Sequence, residues 1–176
     1  DAWTGPFVMA GINTRIVRRS NALMGFRYGE QFRYNEVQTF PKGKKGKKMA
    51  SRMRLGIGMF LGMAAIAPTR WLLKKTVLPA PGDGPSREQR ENGFFNVTFV
   101  GKGTNADGSA VEVRGEVTSD LDPGYAGTAR MLAETAVCLA KDESLADVSG
   151  ILTPAVAGGV TLVDRLRKKG MTFSAN

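Results

Sequence analysis

The sequence predicts an α+β fold, in which an antiparallel sheet packs against helices. Two segments of alternating polarity, residues 94–100 and 110–117, flank a turn with an Asp-Gly tip at residues 107–108, which is the pattern of a β-hairpin. Residues 122–141 place apolar side chains at helical spacing after an Asp-Pro start. A further helix is predicted for residues 153–169, with basic side chains in its last turn.

The N-terminal part is predicted to contain one helix and one strand. Residues 12–24 have near-helical apolar spacing, with Asn13 or Thr14 able to cap the start and Gly25 able to end the helix. Residues 30–40 alternate aromatic and polar side chains, which predicts a strand.

Four shorter segments complete the prediction. Residues 6–10 are expected to form a strand or a loop that enters the core, and residues 84–92 a short polar helix. Extended pieces are expected at residues 150–152 and 171–173.

Composition limits the chemistry that the chain can perform. Its 176 residues, 42% of them hydrophobic, are typical of one globular domain. There is no histidine and a single cysteine, Cys138, which excludes an internal disulfide, a Cys/His zinc site and a Ser–His triad. Any acid–base chemistry must use Lys, Tyr, Asp or Glu. The start, DAWTGPF, lacks the pattern of a signal peptide and an initiator Met, so we expect Asp1 to lie inside a longer protein.

Positive charge is concentrated in one block. The net charge is +9, and residues 42–54 carry seven Lys and Arg side chains with no acid. Without those seven, 18 of the 25 basic residues remain against 16 acidic ones, so the rest of the chain is nearly neutral. Such a block is typical of a solvated loop, or of a surface for nucleic acid or an anionic membrane. Nucleic acid is disfavoured, because no aromatic residues are interleaved for stacking on bases.

An uncharged segment, residues 55–68, directly follows the basic block. It is shorter than the roughly 20 residues that a spanning helix needs, so it predicts an interfacial helix with a basic flank and an aromatic edge. The alternative is a buried core helix that follows a solvated basic loop. The candidate membrane-interface residues are Lys44, Lys45, Lys47, Lys48, Leu55, Ile57, Met59, Phe60, Leu61 and Trp71.

Glycines in this segment form a GxGxxxG pattern at Gly56, Gly58 and Gly62. A dinucleotide fingerprint needs a strand before it and an acidic residue about 20 positions later. Here a lysine-rich stretch precedes the glycines, and the next acid, Asp83, lies in a Pro/Gly-rich linker. Close helix packing is the better interpretation. This stretch is therefore not expected to bind a dinucleotide.

The segment NTRIVRRSN, residues 13–21, places three arginines beside two asparagines. Arginine binds phosphate and carboxylate groups through two N–H donors at once. The segment therefore predicts either an anion site or an exposed helix face paired with acids elsewhere. The candidate substrate or domain-interface residues are Asn13, Arg15, Arg18, Arg19 and Asn21.

Three separated blocks resemble one protein family. PFVMAGINTRIVRRSNAL with YGEQFRYNEV comes first, PAPGDGPSREQRENGFFNVTFVGKG second, and DPGYAGTARMLAETAVCLAKD with GILTPA and GGVTLVDRLRKKGMTF last. In this order they are similar to the second half of saccharopine dehydrogenase-like oxidoreductases. That group includes trans-acting enoyl reductases and lipid-droplet saccharopine dehydrogenase-like proteins.

The resemblance implies a two-domain protein whose NAD(P) cofactor binds an N-terminal Rossmann domain that these residues lack. No cofactor-binding residue is therefore expected within this chain. The resemblance divides the chain into four segments. Residues 1–41 would start the substrate lobe, and residues 42–76 would form a basic loop followed by an apolar helix. Residues 77–121 would contain a linker, a short helix and the hairpin, and residues 122–176 would form helices that return to the nucleotide domain. Catalytic residues are not carried over, because no motif here matches residue by residue.

The first functional hypothesis is the C-terminal lobe of an NAD(P)-dependent oxidoreductase for a hydrophobic or lipid-linked substrate. This lobe would be active only together with its Rossmann half, and its other expected partner is an anionic membrane or lipid surface. The alternatives are a non-catalytic membrane- or lipid-droplet-associated structural protein and a subunit of a larger assembly. We expect an intracellular location and leave membrane, lipid-droplet and mitochondrial association open, as well as the oligomeric state.

Overall fold

The computed structural model describes residues 2–105, 107–145 and 147–176. The chain divides into two compact units, Asp1–Gly84 and Pro85–Asn176, called the N-terminal unit and the C-terminal unit below. The division falls in the Pro- and Gly-rich stretch LPAPGDGP, whose composition favours a linker. Both units contain helices and antiparallel strands.

The N-terminal unit consists of a two-stranded ribbon and three helices. Strand β1 (Trp3–Pro6) pairs antiparallel with β2 (Val37–Phe40). Helix α1 (Ala10–Leu23) lies between them in sequence, and α2 (Gly43–Ala65) and α3 (Ala67–Thr76) follow. The chain bends by 115° between α2 and α3.

The C-terminal unit contains a three-stranded antiparallel sheet in the order β3–β4–β5. Strands β3 (Phe95–Thr104) and β4 (Ala110–Ser119) form a hairpin, and β5 (Thr172–Ala175) pairs with the other edge of β4. The predicted hairpin is therefore confirmed, and its strands are longer than the alternating pattern indicated.

Three helices complete the C-terminal unit. The short α4 (Arg87–Glu91) begins with a capping box, in which Ser86 and Gln89 each bind the other's backbone N–H. Helices α5 (Ala126–Lys141) and α6 (Pro154–Lys168) pack against each other. Within α6, Gly159 has φ 48° and ψ −137°, which interrupts the helix.

Small residues let α2 approach the ribbon closely. Gly46 and Ala50 are buried on the inner face of the helix. A Cβ atom on Gly46 would lie 1.7 Å from the carbonyl oxygen of Pro41, so only glycine fits there. A Cβ atom on Gly5 of β1 would lie 3.7 Å from Met53 Sδ. The N-terminal half of α2 is thus the part that is fixed to the ribbon.

The core of the C-terminal unit lies between α5, α6 and one end of the sheet. Its buried members are Cys138, Leu162, Leu166 and Met171, and partly buried residues such as Phe95, Val117 and Phe173 pack around them. Arg165 of α6 joins the two helices: its Nε donates to Glu134 Oε2 at 3.1 Å and its Nη1 donates to Asp142 at 3.1 Å.

The predicted strand at residues 30–40 is wrong for most of its length, because only Val37–Phe40 pair with another strand. The alternating aromatic residues pack on one another instead. The ring centroid of Phe32 lies 5.3 Å from that of Tyr28 and 6.3 Å from that of Tyr34. The alternation of aromatic and polar residues therefore reflects an aromatic cluster in an irregular segment and not a strand.

The basic block is helical, so the predicted basic loop is also wrong. Helix α2 begins at Gly43, and the basic side chains that follow it lie in the first three turns of the helix. Lys, Arg, Met and Ala have high helix propensity, and the buried Gly46 and Ala50 fix this part of the helix to the ribbon.

Two helix starts differ from the predicted ones. Helix α1 begins at Ala10, and Thr14 Oγ1 donates to the Ala10 carbonyl oxygen at 2.7 Å instead of capping the N-terminus. Helix α5 begins only at Ala126. The Asp122 carboxylate still accepts hydrogen bonds from the N–H groups of Tyr125 and Ala126, at 2.7 and 2.9 Å.

The shorter predictions have mixed outcomes. The segment at residues 6–10 is the end of β1 and the start of α1, and residues 84–92 contain α4 as predicted. The segment at 150–152 forms no strand, whereas the one at 171–173 overlaps β5.

The two units leave an unusual amount of surface uncovered. The accessible surface is 13,358 Å², whereas a compact protein of 18.9 kDa exposes about 8,300 Å² and two separate compact units of half that mass about 10,100 Å². Much of the excess is apolar, since large hydrophobic side chains are exposed in every helix of ten residues or more. Surface of this kind is typical of a protein that packs against something further.

Candidate functional surfaces

Helix α1 separates the arginines from the asparagines that the sequence grouped with them. Arg15, Arg18 and Arg19 are exposed, whereas Asn21 is only 5% exposed and Asn13 is half-buried. Arg15 lies on the face opposite Asn13, and the Asn21 amide is already bonded to backbone groups of Tyr28 and Gly29. The five predicted site residues therefore do not converge on one ligand.

The two asparagines hold the segment that follows α1. Asn21 Nδ2 donates to the Gly29 carbonyl oxygen at 3.0 Å, and Asn21 Oδ1 accepts from the Tyr28 N–H at 2.8 Å. Asn13 Nδ2 donates to Glu36 Oε2 at 2.9 Å. These bonds span 7 to 23 residues, so they determine the path of the chain from α1 to β2.

Glu36 also accepts a hydrogen bond from the Tyr34 hydroxyl, at 2.9 Å through Oε1. Burial of the ring, followed by the hydrogen bond to Glu36 and the charge of that carboxylate, raises the pKa of Tyr34 to about 12. The contact between Tyr34 and Glu36 was not predicted. A Tyr and a Glu two residues apart are too common to indicate an interaction. Here the contact depends on the irregular backbone that precedes β2.

The outward side of α1, called the α1 surface here, combines positive charge with apolar side chains. Arg15 and Arg18 lie one turn apart, and an exposed stripe of Ile12, Ile16 and Leu23 runs beside them. Among the described residues, no acid within ion-pair distance of Arg15 or Arg18 is found. A surface of this composition suits contact with another protein domain or with an acidic ligand.

Helix α2 has a different distribution along its length. Its inner face carries Gly46, Ala50, Met53 and Ile57, so Ile57 is turned inward and is half-buried. The opposite face is basic in the first half of the helix, at Lys44, Lys48 and Arg52, and apolar in the second half, at Leu55 and Met59. Of the other lysines in the predicted surface, Lys45 is exposed, and Lys47 Nζ lies 5.4 Å from the centroid of the Trp3 ring.

The second half of α2 is apolar and exposed on nearly all sides. Leu55, Met59 and Leu61 are each about 60% exposed and Phe60 is 42% exposed, although they point in different directions around the helix. Beyond it, Trp71 of α3 is 61% exposed with Lys75 Nζ 5.0 Å from its ring centroid. Among the described residues no single helix is long and apolar enough to span a membrane, whereas α2 and α3 have the necessary length and composition only as a bent pair.

The glycine pattern does not form a phosphate-binding turn. Gly56, Gly58 and Gly62 all lie within α2, whereas the dinucleotide motif places its glycines between a strand and a helix. These three glycines therefore do not fit the pyrophosphate of NAD(P). Apart from the adjacent residues and the nearby backbone of α2, no described heavy atom lies within 4 Å of the positions that their Cβ atoms would take. The close helix packing predicted at these glycines is therefore wrong as well.

The hairpin of the C-terminal unit has one apolar face that extends beyond its helices. Val97 lies opposite Val117, Phe99 opposite Gly115, and Val113 opposite Gly101. The part near Phe95 and Val117 is covered by the core, but Val97, Phe99 and Val113 remain 40–47% exposed. The other face is polar, with Glu112 between Lys102 and Arg114. The exposed apolar part, called the hairpin surface here, was not predicted as a site.

Cys138 is not a candidate nucleophile. It is 0% exposed in the core, and burial together with the nearby Asp142 carboxylate raises the pKa of its thiol. The part of the chain that the structure describes also contains no cluster of three or more Cys, Asp or Glu side chains suited to a metal ion.

Comparison with known proteins gives one consistent result. The chain is 39% identical over 176 residues to a Mycobacterium tuberculosis protein named provisionally as a trans-acting enoyl reductase, with 97% of this chain and 41% of that protein aligned. It is 38% identical over 179 residues to a Mycobacterium ulcerans trans-acting enoyl reductase, covering 98% of this chain and 41% of the relative. A Mycobacterium bovis protein of the same name is also 38% identical, over 97% of this chain and 40% of the relative.

The chain is thus similar over nearly its whole length to proteins named trans-acting enoyl reductase. It spans about two fifths of the length of these curated relatives. No family model matches the chain, and no solved structure matches it.

Proposed function

We propose that this chain is the substrate and interaction lobe of an NAD(P)-dependent oxidoreductase that acts on a hydrophobic or lipid-linked substrate. The observation that carries the proposal is the similarity of nearly the whole chain to part of proteins named trans-acting enoyl reductase. By this proposal the nucleotide is bound by a Rossmann domain outside these residues, as in the saccharopine dehydrogenase-like group.

The large exposed surface supports the proposal that this chain forms only part of a catalytic unit. The accessible surface exceeds that of two separate compact units by about 3,300 Å². A domain interface in one polypeptide and the binding of an apolar substrate would each bury surface of this kind. The proposal gives no nucleotide-binding role to the glycines of α2, which all lie within the helix.

Each surface has a role in the proposal. The α1 surface, with Arg15 and Arg18 beside an apolar stripe, contacts the nucleotide domain or an acidic group of the substrate. The hairpin surface, centred on Phe99, contacts the apolar part of the substrate and keeps water away from it. No residue of this chain is assigned as a proton donor.

The test uses the natural polypeptide that contains these residues. Purified polypeptide is mixed with NADPH and a long-chain trans-2-enoyl thioester, and loss of nicotinamide absorbance is followed together with the mass of the lipid product. We expect consumption of NADPH that depends on the thioester. The chain of 176 residues alone should neither consume NADPH nor change its fluorescence.

A matched pair of variants tests the role of the lobe. Phe99→Glu, on the hairpin surface, should raise KM for the thioester at least tenfold with little change in NADPH affinity. Val100→Glu, at the next position of β3 but on its other face and opposite Arg114, is the control. If the natural polypeptide binds no nucleotide and consumes none, the oxidoreductase proposal fails, and the membrane-associated structural protein becomes the better hypothesis.

A further inference from the structure

We propose that α2 and α3 form a docking surface for an anionic lipid bilayer. The surface, called the basic–apolar surface here, consists of Lys44, Lys48, Arg52, Leu55 and Met59 along one face of α2, of Leu61 on the side of its exposed half that carries Ile57, and of Trp71 at its edge. Neither the similarity to enoyl reductases nor the proposed function assigns a role to these side chains.

The first argument is the order of side chains along one helix face. Lys44, Lys48 and Arg52 occupy successive turns on the side of α2 that faces away from the ribbon. Leu55 and Met59 continue the same line. A charged segment that leads into an apolar one matches a lipid surface, where phosphate groups lie above acyl chains.

The second argument is the exposure of the apolar half of α2. A helix that is apolar all round is normally buried in a protein core or in lipid. Here Leu55, Phe60 and Leu61 point in three directions and are 42–65% exposed. The residues that fix α2 to the ribbon, Gly46 and Ala50, all precede this half.

The third argument is length. From Leu55 to the end of α2 at Ala65 the helix rises roughly 16 Å, about half of the 30 Å hydrocarbon thickness. The 115° bend then redirects the chain into α3. Trp71 and Lys75, which contact each other, are side chains typical of the headgroup region. This geometry fits insertion into one leaflet.

Charge favours lipid over a protein partner as the occupant. Residues 42–54 contain seven cations and no acid, and lysine is depleted in protein–protein interfaces. Each Lys or Arg near an anionic membrane strengthens binding about fivefold. The complementary surface is therefore a dense field of phosphates with an apolar layer beneath it.

The experiment is vesicle flotation with the natural polypeptide that contains this chain. Vesicles of phosphatidylcholine alone are compared with an equal mixture of phosphatidylglycerol and phosphatidylcholine. We expect flotation with the mixed vesicles at low salt and a strong reduction near 1 M salt, where charges are screened within about 3 Å. Equal flotation with both kinds of vesicle, or flotation with neither, would overturn the proposal.

Two sets of variants test the two halves of the surface. Replacing Lys44, Lys48 and Arg52 together by Gln should weaken binding about a hundredfold. The matched control replaces three other exposed cations, Arg27, Arg33 and Lys141, by Gln and should bind normally.

For the apolar half, Leu55→Glu combined with Leu61→Glu should abolish flotation, whereas Leu132→Glu, at a position 70% exposed in α5, should not. If the double variant floats like the wild type, the apolar half does not insert and the proposal is wrong.

A labelling experiment distinguishes lipid from protein as the occupant. Met59→Cys should react with a maleimide without vesicles and be protected when mixed vesicles are added, while buried Cys138 stays unreactive. Leu132→Cys should react under both conditions. If Met59→Cys is already protected without vesicles, another part of the protein or a second copy covers the surface, and the lipid proposal fails. None of these readouts depends on NADPH consumption, so the two proposals can fail separately.

Discussion

The α-carbon of Gly46 lies so close to Pro41 that a Cβ atom at residue 46 would lie 1.7 Å from the Pro41 carbonyl oxygen. Backbone, not a flexible side chain, occupies the space, so any larger residue must displace α2 from the ribbon. This contact therefore decides where the basic half of α2 lies.

Gly46→Ala should lower the free energy of unfolding of the N-terminal unit by about 3 kcal/mol, because of overpacking against fixed backbone. Gly56→Ala is the control, since nothing lies within 4 Å of its Cβ position in the same helix. That change should stabilise by about 1 kcal/mol through helix propensity. Urea unfolding followed by circular dichroism measures both, and equal effects would contradict the packing described here.

The α1 residues should separate stability from function. Asn21→Ala removes two hydrogen bonds to the segment after α1 and should destabilise the N-terminal unit by about 2 kcal/mol. Arg15→Ala with Arg18→Ala should change stability by less than about 0.5 kcal/mol, because both side chains are exposed.

In the natural polypeptide, the double arginine variant should nevertheless lower kcat/KM for NADPH-dependent turnover at least tenfold. Unchanged turnover would show that the α1 surface faces solvent and binds neither a domain nor an acidic group.

Tyr34 should make stability depend on alkaline pH. Its pKa is raised to about 12 in the folded state, from 10.0 when unperturbed. Above pH 10 the unfolded chain loses this proton while the folded one keeps it, so the free energy of unfolding falls between pH 10 and 12. The loss should be on the order of 1 kcal/mol, because the ring is only partly buried and solvent screens the Glu36 charge.

Comparison of urea unfolding at pH 9 and pH 11 for the wild type and Tyr34→Phe isolates this contribution from that of other groups. The wild type should lose more stability than the variant over this range. An equal loss in both would show that Tyr34 and Glu36 do not interact in solution.

Cys138 should be unreactive in the native state. Its thiol is fully buried and its pKa is raised, so thiolate forms rarely and reagents cannot reach it. Ellman's reagent at pH 8 should titrate no thiol in folded protein and one in denatured protein. Rapid reaction under native conditions would mean that α5 and α6 open readily.

The sequence was informative where structure depends on neighbouring residues. The hairpin was recognised from its Asp-Gly tip and alternating flanks, and α6 from Thr153 and Gly170 at its two ends, because turns and caps are local. The strand predicted for residues 30–36 was wrong, because Phe32 and Tyr34 alternate with polar residues in order to pack on each other and not to pair in a sheet.

The candidate sites were also mispredicted where they depend on contacts between residues far apart in sequence. Asn13 and Asn21 were grouped with the arginines by proximity in sequence, yet their partners, Glu36 and Gly29, lie 23 and 8 residues away. The basic residues were assigned to a loop because charge alone does not reveal that Gly46 and Ala50 fix a helix to the ribbon. The exposure of the hairpin surface depends on where α5 and α6 stop covering the sheet, which no local pattern predicts.

The pairing of β4 with β5 has a consequence for folding kinetics. The hydroxyl groups of Thr118 and Thr172 hydrogen-bond across these strands although they are 54 residues apart. The β3–β4 hairpin and the α5–α6 pair need only short loop closures, so β5 should join last, after the rate-limiting barrier. Phe173→Ala should then mainly speed unfolding, while Val117→Ala should also slow refolding. In stopped-flow experiments, slower refolding of Phe173→Ala would place β5 in the folding nucleus instead.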